Sequence, residues 1–159
     1  MKSISTDNIE LQLISKNNVD FVAFGLDGNN KLTTDNFIFY NNIKNDYISV
    51  LTSRKLDGLR SVNSIFSINL SKAPENIKRI LITSMTMLTN LTVSTNEYGH
   101  ETNTTYDLTD NKYPYKIAIV AEYVKRGNVW YNKVSSYELI NYTVEQLINA
   151  YYDGVVLTN

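Results

Sequence analysis

The sequence predicts a mostly β fold that ends in one short α-helix. Three observations carry this expectation. Short apolar runs alternate with a period of two, polar turns rich in Gly, Asn and Asp separate them, and the period changes to helical spacing only near the C-terminal end. With 159 residues, 43% of them hydrophobic and 19% charged, residues 1–159 are expected to form a single domain, since a chain of this size and polarity can bury a sizeable core.

Ile9, Leu11 and Leu13 alternate with Glu10 and Gln12, which predicts a first strand with one wet face. Asp20 to Leu26 is apolar on both faces and suits a central strand, ended by the turn Asp27-Gly28-Asn29-Asn30. Asn36 to Tyr40 and Tyr47 to Leu51 are two more β-rich runs, with a hairpin or crossing loop from Asn41 to Asp46. Thr52 to Asn63 is polar and aperiodic, which predicts a loop. Ile65 to Leu70 and Arg79 to Met85 are strands, bridged by a segment in which Pro74 discourages a continuous ladder.

Asn90 to Thr95 predicts a strand, Asn96 to Asn103 a loop, and Thr104 to Leu108 a short strand. From Lys116 to Val124, strict alternation would put Ile117, Ile119, Ala121 and Tyr123 on one face and Lys116, Ala118, Val120 and Glu122 on the other. The turn around Gly127 then leads back through Val129 to Val134 as a hairpin. Val144, Leu147, Ile148 and Tyr151 fall at helical spacing, with Thr143 and Gln146 as a capping box and Gly154 as the stop.

Composition narrows the function. A formal net charge of -1 lacks the footprint that non-specific nucleic-acid binding needs, so no nucleic-acid partner is expected. There is no cysteine, which removes disulfides and thiolate metal sites. The first residues carry no signal-peptide pattern and no run is long enough for a transmembrane segment, so a cytoplasmic protein is expected and the sequons at Asn69, Asn90, Asn103 and Asn141 are expected to stay unmodified.

Catalytic constellations are missing. His100 is the single histidine, and His100-Glu101 has no second histidine four residues on for a zinc site, so a solvated loop residue is the plainer reading. Glu97, Glu101 and Glu122 show no pairing in their spacing. Asp27-Gly28-Asn29-Asn30-Lys31 begins like a calcium loop but lacks the glycine at its sixth position and the closing glutamate. Trp130 and the twelve tyrosines suit a ligand platform less well than packing, because strands favour aromatics. The chain is expected not to be an enzyme.

Four stretches, in order and at compatible spacing, carry a resemblance to a known family. They are Asp20 to Lys31, Asn36 to Asn42, Phe66 to Pro74 with the strand from Ile77, and a C-terminal set running through Tyr106-Asp107-Leu108, Ala118 to Tyr123, Trp130 and Tyr152 to Val155. Together they resemble the TerD family of tellurite-resistance and stress proteins. That resemblance implies a β-sandwich of two packed sheets and a non-enzymatic role among other proteins of a stress or resistance complex.

The resemblance also implies calcium bound by acidic residues of the first strand and of a long loop. In this chain the loop corresponds to Ser53 to Ser64, which is short and nearly free of carboxylates, and Asn18 stands where one strand aspartate is expected. Asp20, Asp57 and Asn63 are the remaining metal candidates, and ordinary turn chemistry is their plainer reading. Calcium takes six to eight oxygen ligands, and Arg54, Lys55 and Arg60 would oppose it. Calcium binding is therefore expected to be weak or absent, with no other cofactor. A structural or assembly subunit that has lost its ion is the alternative function. The three cations suit contact with an anionic partner or a peripheral membrane surface, against the plainer reading of a solvated loop.

Overall fold

The structure is a computed structural model that describes residues 2–4, 8–16, 19–39, 41–55, 61–97, 100–109, 113–114, 116–133, 138–140 and 144–153. Its strands in chain order are β1 (Lys2–Ser3), β2 (Asn8–Ser15), β3 (Asp20–Asp27), β4 (Leu32–Ile38), β5 (Ile48–Lys55), β6 (Ser61–Asn69), β7 (Ile77–Thr86), β8 (Asn90–Glu97), β9 (His100–Asp107), β10 (Lys116–Arg126), β11 (Val129–Asn132) and β12 (Glu138–Ile140). A 3-10 turn, Leu70–Lys72, follows β6, and the helix α1 (Val144–Asp153) comes last among the described residues. All pairings are antiparallel. The larger sheet has the order β1-β11-β10-β7-β3-β4, with β12 also pairing β10, and the smaller has the order β5-β6-β2-β8-β9.

The two sheets pack as a sandwich because each presents one apolar face. Ile9, Leu11 and Leu13 of β2 and Phe66 and Ile68 of β6 face Phe21, Ala23, Ile80 and Ile82 of the larger sheet, all buried in one interlayer core. The larger sheet also has an apolar outer face. Val22, Phe24, Leu26, Leu81 and Ile117 form a second cluster there, covered by Leu147, Ile148 and Tyr152 of α1. This explains why β3 is apolar on both sides: one set of side chains meets the opposite sheet and the other meets the helix. The helix lies where spacing predicts it, while Thr143 and Gly154 fall outside the described residues. Among those residues no helix is long and apolar enough to cross a membrane.

Three expectations need correction. The segment Thr52 to Asn63 is not wholly a loop: β5 continues to Lys55 and β6 begins at Ser61, paired as Thr52↔Ser64, Ser53↔Asn63, Arg54↔Val62 and Lys55↔Ser61. Asn96 to Asn103 is likewise ladder, with Asn96↔Glu101 and Glu97↔His100 joining β8 to β9. Both stretches are polar, so the backbone pairing that defines them leaves no mark in the hydrophobic pattern.

The third correction concerns β10. Strict alternation fails because the register against β7 shifts between Ile119 and Ala121, leaving Val120 as an extra residue. Ile117 and Ile119 meet the helix-side cluster, Val120 and Ala121 both pack on the interlayer core, and Tyr123 joins that core with Ala118. Glu122, paired with Leu81, takes the outer face. The bulge thus reverses the second half of the strand.

The segment Asn41 to Asp46 crosses from the edge of the larger sheet to the edge of the smaller one, and its asparagines make the crossing. Asn42 Nδ2 donates to Phe37 O at 2.8 Å and Asn45 Nδ2 donates to Asp35 O at 2.8 Å. Asn45 Oδ1 accepts from the Tyr47 and Ile48 amides, at 3.0 and 2.8 Å. Tyr47 Oη then donates to Asn36 Oδ1 at 2.6 Å.

Two core tyrosines couple stability to alkaline pH. Burial pushes the Tyr106 hydroxyl up to about 12, and it pushes Tyr47 up as well, against a smaller opposing hydrogen bond with Asn45. A raised folded value means that Tyr106 contributes stability in full below the unfolded value of about 10, and that this is lost as pH rises through about 12. Tyr106→Phe should therefore remove on the order of 2 kcal/mol from the fall in stability between about pH 10 and 12. Urea midpoints across that range are the measurement, and an unchanged slope would rule the coupling out.

Candidate functional site

At the end of the sandwich where β2 turns into β3, the interlayer lining is polar. Ser15, Ser64, Ser84 and Thr86 are buried there, Thr52 Oγ1 and Ser64 Oγ lie 2.8 Å apart, and Lys116 is buried with Nζ 3.5 Å from Pro114 O. Ser84 Oγ is buried without a hydrogen-bond partner among the described residues.

Arg54 reaches across this end from β5. Its Nη2 donates to Asp20 Oδ1 at 2.6 Å and its Nη1 donates to the Val19 carbonyl at 3.2 Å, so one guanidinium ties the edge of the smaller sheet to the start of β3. Both side chains are about one-third exposed, at 33% and 39%. The pair is thus a tether of ordinary surface strength, worth roughly 0.2–1 kcal/mol.

Of the metal candidates, Asp20 and Asn63 lie among the described residues, each with a partner of its own. Asp20 is engaged by Arg54. Asn63 alternates with the buried Val62 and Ser64, so it stands on the outer face of the smaller sheet, where its Oδ1 accepts from Gln12 Nε2 at 3.3 Å. Asp57 lies outside the described residues, as do Asn18 and Arg60. Among the described residues no group of three or more His, Asp or Glu side chains is arranged to hold a metal ion.

Other candidates settle into structural roles. Trp130 is 7% exposed in the interlayer core. His100 begins β9 rather than lying in a loop. Asp27 Oδ1 accepts from the amides of Asn29 and Lys31, at 2.8 and 2.9 Å, and Asn30 takes a positive φ of 56°. That is a capped turn between β3 and β4, the role expected of Asp and Asn at such places.

One ionic cluster has no counterpart in the sequence reading. Glu122, buried on the outer face of the larger sheet, accepts from Arg79 Nε and Nη2 at 3.1 and 2.6 Å, and its other oxygen lies 3.4 Å from Lys133 Nζ. Arg79 Nη1 also reaches Asn30 Oδ1 at 3.4 Å. The available signal was a lone glutamate inside an apolar strand, since carboxylates are buried only when paired.

A groove of about 700 Å³ lies on the uncovered outer face of the smaller sheet. Glu10, Gln12, Ser67 and Asn69 form its floor, and Asn45-Asp46 and Lys72 form its sides. Asn69 and Asn45 already use their carbonyl oxygens on neighbouring backbone amides. Ile9, Tyr47, Ile48 and Ile68 also line this open groove, so its surface is mixed in polarity, and Glu10, Asp46 and Lys72 are its ionisable groups.

Two solved structures share this architecture. The crystal structure of SAV2460, a protein of unknown function, superposes with a TM-score of 0.68 at 12% identity, covering 97% of this chain and all of that one. A homologue of telluride resistance protein (TerD), SCO6318 from Streptomyces coelicolor A3(2), gives a TM-score of 0.58 at 11% identity over 91% of this chain and 96% of its own. At such identities the likeness establishes the fold alone. Comparison with curated protein sequences finds no match. The family model of the TerD domain matches residues 8–151, nearly the whole of the two sheets and most of α1, and the chain belongs to the TerD domain family.

Proposed function

We propose that this chain is a non-enzymatic binding protein of a bacterial stress or tellurite-resistance system, acting in the cytoplasm within a larger protein complex, and that its calcium site is degenerate. The observation that carries this reading is the Arg54–Asp20 contact at 2.6 Å. A guanidinium already engages Asp20 of β3, the strand carboxylate left for an ion, and it brings a positive charge that a divalent cation would have to displace. The same contact favours the second reading, an assembly subunit that has lost its ion and whose surface meets other proteins.

Calorimetric titration tests the ion. No saturable heat is expected below about 1 mM calcium, and the thermal midpoint should not move. Saturation at micromolar calcium would overturn the degenerate site. Arg54→Ala should lower stability by no more than about 1 kcal/mol, because the pair is partly exposed. Capture of co-encoded proteins by the tagged chain separates a complex member from a protein that works alone.

A further inference from the structure

We propose that the end of the larger sheet opposite Arg54 is a docking surface for an anionic lipid bilayer. This inference goes beyond the family reading and rests on where the structure leaves its cations. Arg54 is held by Asp20, and Arg79 and Lys133 are held by Glu122. Lys31, Lys78, Lys125 and Arg126 have no ion-pair partner among the described residues. All four sit at one end of the larger sheet: Lys31 after the β3–β4 turn, Lys78 at the start of β7, and Lys125 and Arg126 at the end of β10.

The register fixes how near they are. Leu26, Arg79 and Val124 stand side by side on β3, β7 and β10, and Lys31, whose carbonyl accepts from the Asp27 amide, lies on the β4 side of β3, so Lys31 and Arg126 are separated laterally by about three strand spacings, roughly 14 Å. Lys78 falls between them, its Cγ 3.8 Å from the point where a Cβ on Gly28 would lie. Neighbouring cations thus stand one to two strand spacings apart, about one Debye length at physiological salt, so their fields overlap. Of the nearby carboxylates, Asp27 is committed to the turn amides and Glu122 to its own cations. Asp27 keeps its charge while accepting from those amides and Glu75 lies exposed just before β7, so two of the four positive charges are offset and the end stays positive in a chain whose net charge is -1.

The shape favours a flat partner. Lys31 and Arg126 are exposed at the two sides of this end, with Lys78 and Lys125 half-buried beside them, and the groove described above lies on the other sheet. An acidic peptide would want a channel lined by these charges. A bilayer needs only several cations presented together, each contributing about fivefold to partitioning, with an apolar side chain among them. Val129, 42% exposed at the β10–β11 turn next to Arg126, supplies that side chain.

Vesicle co-sedimentation of the full chain is the test. Binding is expected to vesicles of about 30% phosphatidylserine in phosphatidylcholine, to be lost on phosphatidylcholine alone, and to weaken with added salt. Lys31→Glu and Arg126→Glu are both exposed changes. Each should weaken binding by at least about fivefold and the pair by about 25-fold, with thermal midpoints unchanged, while Lys55→Glu at the opposite end should have no effect. Absence of binding to the anionic vesicles, equal binding to both vesicle types, or loss with Lys55→Glu equal to that with Arg126→Glu would each overturn the proposal. So would binding to poly-glutamate without binding to vesicles.

Discussion

Gly25→Ala is expected to destabilise the protein by about 3 kcal/mol or more, an effect out of proportion to a single methyl group. A Cβ at this position would stand 2.1 Å from Tyr47 Oη, 3.3 Å from Tyr47 Cζ and 3.3 Å from Asn36 Cβ. Tyr47 cannot step aside cheaply. It is 3% exposed in the interlayer core, and its hydroxyl donates to Asn36, the contact that completes the crossing between the two sheets. Moving the ring would open that hydrogen bond and leave Asn36 Oδ1 without it, a loss of about 1–2 kcal/mol in addition to the overpacking. Gly25 is thus a place where one backbone must let a tyrosine pass.

The pair of residues gives a stringent form of the test. Tyr47→Phe alone should cost about 1 kcal/mol by deleting the hydroxyl. In the double variant the worst contact of the new methyl is gone, so its loss should fall short of the sum of the two single losses by at least about 1 kcal/mol. Chemical denaturation of the four proteins measures this. Strict additivity would show that the alanine acts through backbone entropy or the unfolded chain rather than through Tyr47.

What the sequence disclosed depends on whether burial left an alternating mark. β2 alternates cleanly, β3 is apolar throughout, and α1 shows its period, so each was legible from the residues that meet a core. The far halves of β5 and β6 and most of β9 were not. Leu51 to Lys55 is exposed along its length and β9 is largely Thr, Asn and Glu, so their strand character rests on backbone hydrogen bonds that hydrophobic spacing cannot register. The bulge in β10 was hidden for the opposite reason. Ile117 to Ala121 is apolar without a break, and any slip of one residue looks the same in sequence.

The site was half legible for a related reason. Asp20 and Arg54 were each singled out, one as a ligand and the other as a cation opposed to ligands. Their union comes from two sheets packing face to face across 34 positions of chain, a long-range event with no local signature. The four cations without an ion-pair partner among the described residues come from three segments at the opposite end that only the strand order β10-β7-β3-β4 makes neighbours.

Glu122 should be the most costly charge to remove. The extra residue at Val120 sends this side chain to the outer face; without that shift, strict alternation would aim a carboxylate into the interlayer core. In its actual position Glu122 is 4% exposed and faces two cations. Glu122→Leu would leave Arg79 and Lys133 facing each other over an apolar residue, and a loss of about 3 kcal/mol is expected, at the lower end for a broken buried pair because Arg79 retains 27% exposure to water. Glu122→Leu combined with Arg79→Leu should recover most of that loss, since two leucines on the outer face would extend the cluster that already contains Leu26 and Leu81. If the double variant were as unstable as the single one or worse, the carboxylate would have to matter through something other than its pairing with Arg79, and the ionic account of this strand would fail.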